Sequence, residues 1–441
     1  MSDYPIPAYE PMSDAVLTDA ERWPAQTSAG ARRLEWLRSH PRAPLYNHAC
    51  GDRLTAGAVE RLRGYDFGYH GWTASHRPQW TDELVERAGR SVPRYRGVRS
   101  FGDVVPVGRG ELLSRVERAV PDDADLSELI VHTTSGSRGP AATVPMTPEF
   151  CALDLPLFEH VLAGRGISVS ADGVALVTVY AMPVTYQFAA VSSYWDGAGV
   201  VKVNLHPSAW RSPGDRAAFL DDCAPQLYSG NPLSLSALAE LGLSGRPKAV
   251  FSGAMALDSP AALAEKLGAP VFDVYGTTET GLLAHRTEGG HTVLPRRVYI
   301  EVLDEDGQPC PDGTRGEIVV TSGENPLLPL LRYRTGDHAA LRWRSGVPVL
   351  LGLAGREPVR FLVGSRWVES IEVTQLLTPL ALPAYEVHQG QDGGITVTVP
   401  VGTSESLVAA AARPLLGEVA VRTTDLRTAT KPQRYSTQMM R

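Results

Sequence analysis

The chain has 441 residues, too many for one simple core and enough for a large domain followed by a smaller one. Hydrophobic residues make up 43% and charged residues 21%, as in soluble globular proteins, and a net charge of -7 leaves no basic surface for nucleic acid. The opening residues, MSDYPIPAYEPMSDAV, contain no basic stretch followed by an apolar run, and no later segment is apolar for the length of a membrane span, so a cytoplasmic chain without membrane segments is expected. Cys50, Cys151, Cys223 and Cys310 are scattered without a CxxC pair, which fits neither a disulfide framework nor a zinc knuckle.

Residues 28–40 and 79–91 space their apolar positions for amphipathic helices. Residues 91–113, SVPRYRGVRSFGDVVPVGRGELL, are punctuated by Pro and Gly before another helix begins. In 129–145, LIVHTTSGSRGPAATVP, a short apolar strand feeds a loop of Thr133, Thr134, Ser135, Gly136, Ser137, Arg138 and Gly139. Free backbone N–H groups, hydroxyls and one guanidinium suit a phosphate cradle. A surface loop is an equal reading of this segment alone, and the lysine of a Walker loop is missing.

From 173 to 203 an apolar run is followed by Tyr186, Phe188, Tyr194 and Trp195, which predicts a buried strand and then a helix. Short apolar strands alternate with helical stretches from 207 to 275, and that alternation predicts a largely parallel sheet. Ser252, Gly253 and Ala254 follow a strand end, where ligands sit in open α/β sheets.

In 272–281, FDVYGTTETG, a strand runs into a polar turn, which taken alone is an ordinary strand-to-turn transition with solvated threonines and in company reads as a nucleotide site. Gly276 lets the backbone come close to a ligand, Tyr275 offers a flat face to a purine, and Thr277, Thr278 and Glu279 supply hard oxygen donors for phosphate and magnesium. Beyond it, DEDG and PDG turns separate short β-like runs, which predict an antiparallel, barrel-like portion. Arg334, Thr335, Gly336 and Asp337 are read as its last turn, with Asp337 either an acceptor for two vicinal hydroxyls or an ordinary turn aspartate. After Gly355 and Arg356, a hairpin across Gly393 and Gly394, a helix and a strand predict a small α+β lobe. Lys431, the only lysine after Lys266, is solvated unless its context says otherwise.

In this order, TTSGSRG, YGTTE, GEIVVTS, YRTGD, the Gly-Arg pair and the late lysine resemble the adenylate-forming superfamily of acyl-CoA synthetases, peptide-synthetase adenylation domains and luciferases. SVPRYRG and FGDVVPVGRGELL look like segments of its phenylacetate-CoA ligase-like branch. The resemblance implies an α/β fold: residues 1–355 as an adenylation domain with a β-barrel-like subdomain, and 356–441 as a small mobile α+β lid. It implies that Thr134, Ser135, Gly136, Ser137 and Gly139 hold the β- and γ-phosphates of ATP, with Arg138 in place of the family lysine. Tyr275, with Gly276, Thr277 and Thr278, would meet adenine and phosphate; Glu279 would bind Mg2+; Asp337 and Arg356 would hold the ribose. Lys431 would bridge carboxylate and α-phosphate, and Tyr186, Ser252, Gly253 and Ala254 would line the acid pocket.

The activity so implied is adenylation of an aromatic or arylalkanoic acid with pyrophosphate release, then transfer to CoA. Its alternatives are transfer to a carrier protein or amine, as in natural-product pathways, activation of another oxyacid such as nitrite, or a non-catalytic nucleotide-binding relative. A homodimer is compatible with the branch. The sequence departs from the family pattern after Arg356, where Glu357 and Pro358 replace the hinge aspartate, and before Lys431, where Thr430 stands for the usual glycine.

Overall fold

The computed structural model describes residues 17–133, 143–182, 185–255, 257, 259–354, 359–377, 380, 382, 385–424 and 435–439. They fall into two compact units, the larger drawn from Met1–His132 and Val144–Gly355, the smaller from Thr133–Thr143 and Arg356–Arg441.

A 13-stranded sheet runs through the larger unit. One half is parallel: Ala198–Asn204, Val174–Tyr180, Leu227–Gly230, Ala249–Ser252 and Val271–Thr277 pair in that order. The continuous apolar character of these strands follows from burial on both faces. Along the third and fourth of them, Leu227, Ala249 and Phe251 face one apolar cluster while Tyr228 and Val250 face another, in the period of two that a pleated strand imposes. The crossover helices start at side-chain caps: Asn231 and Ser259 each accept an amide of the following turn, and Pro232 and Pro260 sit where a missing N–H costs nothing.

The other half is antiparallel, in the order Val271–Thr277, Gly281–Thr287, Gly290–Val293, Val347–Ala354, Leu330–Arg344, Arg315–Ser322 and Val298–Leu303. The barrel-like portion expected from the turn signals is thus hydrogen-bonded into the same sheet. The strand Val271–Thr277 is the seam between the halves. Its first three residues pair with Ala249–Ser252, and its last four, Val274 to Thr277, pair with Gly281–His285.

The helix expected after Val174–Tyr180 is replaced by the strand Phe188–Ser192, which pairs antiparallel with Ala198–Asn204 at the edge of the sheet. The reason is local. Asp196 and Gly197 both take positive φ (51° and 88°), which closes a hairpin, and a Cβ at Gly197 would lie 2.6 Å from Gly30 Cα. Helices expected over 28–40 and 79–91 are present as Ser28–Ser39 and Trp80–Ser91.

The smaller unit holds a four-stranded sheet in the order Ala420–Thr424, Ile395–Pro400, Glu386–Gln389 and Tyr435–Thr437, and the helices Ser370–Leu377 and Glu405–Leu416. Its apolar cluster includes Val387, Val397, Val373, Val408 and Leu416. Tyr435–Thr437, which sequence reading did not anticipate, pairs parallel with Val387–Gln389 and sets the Tyr435 hydroxyl 2.8 Å from that of Tyr385.

Candidate active site

The larger unit brings three separated segments together where the seam strand ends. The Tyr275 hydroxyl donates to Asp337 Oδ2 at 3.0 Å. Burial first, and then the neighbouring carboxylate, push this phenol well above the ordinary tyrosine range, so it stays a donor. The ring also packs against the antiparallel core around Leu283 and Ala284.

Asp337 does not lie on a last turn. It lies on a bulge inside the long strand Leu330–Arg344, where Val319 pairs with Arg334 and Glu317 with His338, leaving three residues opposite Ile318. Gly336 takes φ +80° there, and that glycine is why the sequence looks like a turn. Side chains hold the bulge: Thr335 Oγ1 donates to Ile318 O at 2.9 Å and accepts from Asp337 N at 3.0 Å. Glu317 accepts from Gly336 N at 3.1 Å and from Arg334 Nε at 2.8 Å. The aspartate is therefore aimed by the backbone before any ligand arrives.

The turn after the seam strand is closed by Thr277 and Thr280, whose hydroxyls lie 3.1 Å apart, while Thr277 N donates to Thr280 Oγ1 at 3.1 Å. Gly276 has its own reason: a Cβ there would meet Gly281 O at 2.3 Å, so this glycine lets two strands of the protein approach each other. Thr278 and Glu279 sit on the turn itself.

Glu279 is 2% exposed. Arg109 Nε stands 3.0 Å from its Oε1 as an ion pair, although among the described residues that oxygen accepts no hydrogen bond. Arg109 opens the helix Arg109–Ser114, directly after Val107–Gly108, which pairs parallel with Tyr333 and Arg334. The segment FGDVVPVGRGELL is thereby tied to the Asp337 strand and reaches the Glu279 turn. Sequence reading used this segment only as a branch marker and missed Arg109; its arginine between two glycines was the available signal. One buried carboxylate with an oxygen short of hydrogen bonds, beside threonine hydroxyls, suits a magnesium ion that arrives on phosphates. Among the described residues no cluster of three or more His, Cys, Asp or Glu forms an all-protein metal cage.

The residues expected to line an acid pocket lie along the parallel half. Ser252 pairs with Asp273 of the seam strand, two positions before Tyr275, and among the described residues its buried hydroxyl has no hydrogen-bond partner. Gly253 N donates to Gly230 O at 3.1 Å, and Ala254 takes φ +65°, a costly conformation for a residue with a Cβ. The Tyr186 ring lies 5.1 Å from that of His48 and 6.3 Å from that of Phe188. The Lys202 ammonium stands 3.2 Å from the Tyr186 centroid. Thr134, Ser135, Gly136, Ser137, Arg138, Gly139, Arg356 and Lys431 lie outside the described residues.

A family model described as AMP-binding enzyme matches residues 178–325. The chain is 34% identical over 141 residues to a phenylacetate-coenzyme A ligase of Pseudomonas putida, covering 30% of this chain and 32% of that one. It is 24% identical over 290 residues to a phenylacetate-coenzyme A ligase of Thermus thermophilus, covering 60% of this chain and 63% of the relative. The chain thus spans less than two thirds of the length of these curated relatives. Among solved structures, an open conformation of 2-hydroxyisobutyryl-CoA ligase in complex with 2-HIB-AMP and CoA shares the fold with a TM-score of 0.50 at 19% identity, over 77% of this chain and 89% of that one. The seam-strand turn and the aspartate bulge lie together on an α/β sheet. Over residues 178–325 the chain is similar to AMP-binding enzymes.

Proposed function

We propose that this protein is an ATP-dependent, AMP-forming ligase that activates an aromatic or arylalkanoic carboxylic acid and passes the acyl group to CoA. The observation that carries the reading is the meeting of Tyr275 and Asp337 at 3.0 Å, with the buried Glu279 on the turn that follows the Tyr275 strand, from segments whose sequences point to one nucleotide.

In this reading a carboxylate oxygen of the acid attacks the α-phosphorus of ATP, the bond to the bridging oxygen breaks, and pyrophosphate leaves with the displaced electron pair. Two anions must approach, so cations and hydrogen-bond donors have to sit where charge builds up. Asp337 accepts from the ribose hydroxyls, Tyr275 sets the base, and Thr134 to Gly139 hold the departing phosphates. Lys431 and Arg138 supply cationic charge, and Glu279 is the protein ligand for magnesium. Magnesium, when bound, neutralises phosphate oxygens. Holding acid and nucleotide in one geometry removes the orientational cost of a two-body reaction.

The test is pyrophosphate release with ATP, magnesium and a panel of aryl acids, each with and without CoA, the products identified by mass. Release together with an acyl-CoA establishes the ligase. Acyl-AMP that accumulates despite CoA favours a carrier protein, an amine or another acceptor. The sequence observation behind that second reading is Pro358, which restricts the backbone where the family has a hinge aspartate. Nucleotide binding without release for any acid removes the proposal and leaves another oxyacid or a non-catalytic relative.

A further inference from the structure

Lys202 is only 8% exposed. Its ammonium lies 3.2 Å from the centroid of the Tyr186 ring and 4.5 Å from that of Tyr180, and among the described residues it makes no hydrogen bond or ion pair. The ionisable groups around it offer no anion. Burial pushes the His48 imidazole down to about 4 and the Cys50 thiol up to about 11, so both are neutral near pH 7. His132 is likewise shifted toward its neutral form by burial. Asp52, two residues after Cys50, spends its oxygens on Ser193 N at 2.6 Å, Ser193 Oγ at 3.2 Å and Leu54 N at 3.1 Å. Two aromatic faces ease the near-burial of a cation, yet they supply no acceptor for its three N–H donors.

The position of Lys202 in the sheet gives this arrangement a direction. Lys202 pairs with Thr178, Thr178 with Ser229, and Ser229 with Phe251, so these side chains form one row across four parallel strands. Thr178 Oγ1 and Ser229 Oγ lie 2.7 Å apart. The row ends at the residue before Ser252, and Tyr186 covers its other end. It is a polar track that begins beneath Tyr186, on a face otherwise built of Phe158, Phe251 and Phe272, whereas the side chain of Ser252 belongs to the opposite face.

We propose that Lys202 binds a second acidic oxygen function of the acid substrate, a phenolic hydroxyl or a second carboxylate, distinct from the carboxylate that is activated. The inference rests on the ligase reading and narrows its substrate class. Lys202 is then a specificity-determining residue: it accepts a group that an unsubstituted aryl acid lacks, and such an acid leaves the ammonium without its anion.

The experiment compares the full chain with Lys202→Met and Lys202→Arg on matched acids: benzoate and phenylacetate, their ring-hydroxylated forms, and their ring-carboxylated forms. Two quantities are read, kcat/KM from pyrophosphate release and the affinity of each acid by calorimetry without ATP. A charge-assisted hydrogen bond predicts that the unmodified protein prefers a substituted acid by about 10- to 100-fold. The hydroxylated and carboxylated arms tell which oxygen is taken. Lys202→Met should reduce that ratio about tenfold or more, and Lys202→Arg, which keeps a cation, should retain most of it. A purely structural lysine would lower activity on all acids alike. An equal loss across the panel, or no preference in the unmodified protein, overturns the inference while leaving the ligase intact. Binding of substituted acids that depends on Lys202, with no pyrophosphate released by any acid, keeps the subsite and removes the ligase. Should Lys202→Met not fold, Lys202→Gln supplies the neutral variant for the same ratio.

Discussion

Tyr275 and Asp337, 62 positions apart, share a 3.0 Å hydrogen bond in which the phenol donates to the carboxylate. The two reach it by different routes, one from the end of the seam strand and the other from a bulge. The bond preorganises the aspartate and occupies one of its oxygens.

That division of labour separates two substitutions. Asp337→Ala removes the proposed acceptor for two hydroxyls and should raise the KM for ATP about tenfold or more, the equivalent of about 1.5 to 3 kcal/mol for a charged hydrogen bond. Tyr275→Phe keeps the ring and leaves the carboxylate to the nucleotide, so the KM should move by less than about threefold, with a stability loss of about 1 kcal/mol. Steady-state kinetics in ATP and urea unfolding read the two effects. Equal KM changes would show that the phenol hydroxyl itself is a nucleotide contact.

The Arg109 and Glu279 pair makes a prediction about stability. Glu279 is almost completely buried, so removing its partner strands a charge away from water. Arg109→Met should cost about 2 to 4 kcal/mol, toward the lower end of buried-pair values because Arg109 itself is partly exposed. The double variant Arg109→Met with Glu279→Gln should recover about half or more of that loss, since no charge is then left unpaired. Additive losses in chemical denaturation would mean that the two side chains do not act as a pair.

Lys202 makes the protein's stability depend on pH. Burial lowers its pKa from 10.5 to about 7 in the folded chain. Between those values the unfolded chain binds a proton that the folded chain does not, so stability rises with pH across that window, by up to about 1.4 kcal/mol per unit. Below the folded pKa the full cost of burying an ammonium applies. Lys202→Met should therefore be more stable than the unmodified protein at pH 6, with the advantage shrinking as the pH rises from 7 toward 9. His48 contributes between about 4 and 6.5, and the buried thiols Cys50, Cys151 and Cys223 contribute an opposite slope only from 9 upward, so the lysine's share is read between pH 7 and 9 from the difference between the two proteins. Parallel stability curves for the two proteins would place the ammonium in water.

The sequence suggested which residues to propose for the site more readily than how they are arranged. Tyr275, Glu279 and Asp337 carry side chains of the types that the proposed nucleotide site needs, and strand alternation announced the parallel half. The bulge at Gly336 was hidden because a positive-φ glycine inside a strand and one inside a turn look the same in sequence. Gly276 was read as room for a ligand, whereas Gly281 O supplies the close contact. Arg109 and Lys202 were invisible for a shared reason. A cation's role depends on which partner or face it meets, and pairings such as Gly108 with Arg334 or Lys202 with Thr178 exist only after the chain has crossed the sheet. The edge hairpin at Asp196 and Gly197 was missed because aromatic and small residues fit a helix and a strand equally well.

The seam strand has one more consequence. It changes partners halfway, pairing on one side up to Asp273 and on the other from Val274 onward. Among the described residues, no strand continues along Tyr275 and Gly276 on the side where Ala249–Ser252 ends. A strand edge without a neighbour presents alternating donors and acceptors in a line, the pattern with which a flat heterocycle displays its own nitrogens. Where the sheet exchanges one style of pairing for the other, it leaves a short ruler of peptide groups that a ring can be measured against.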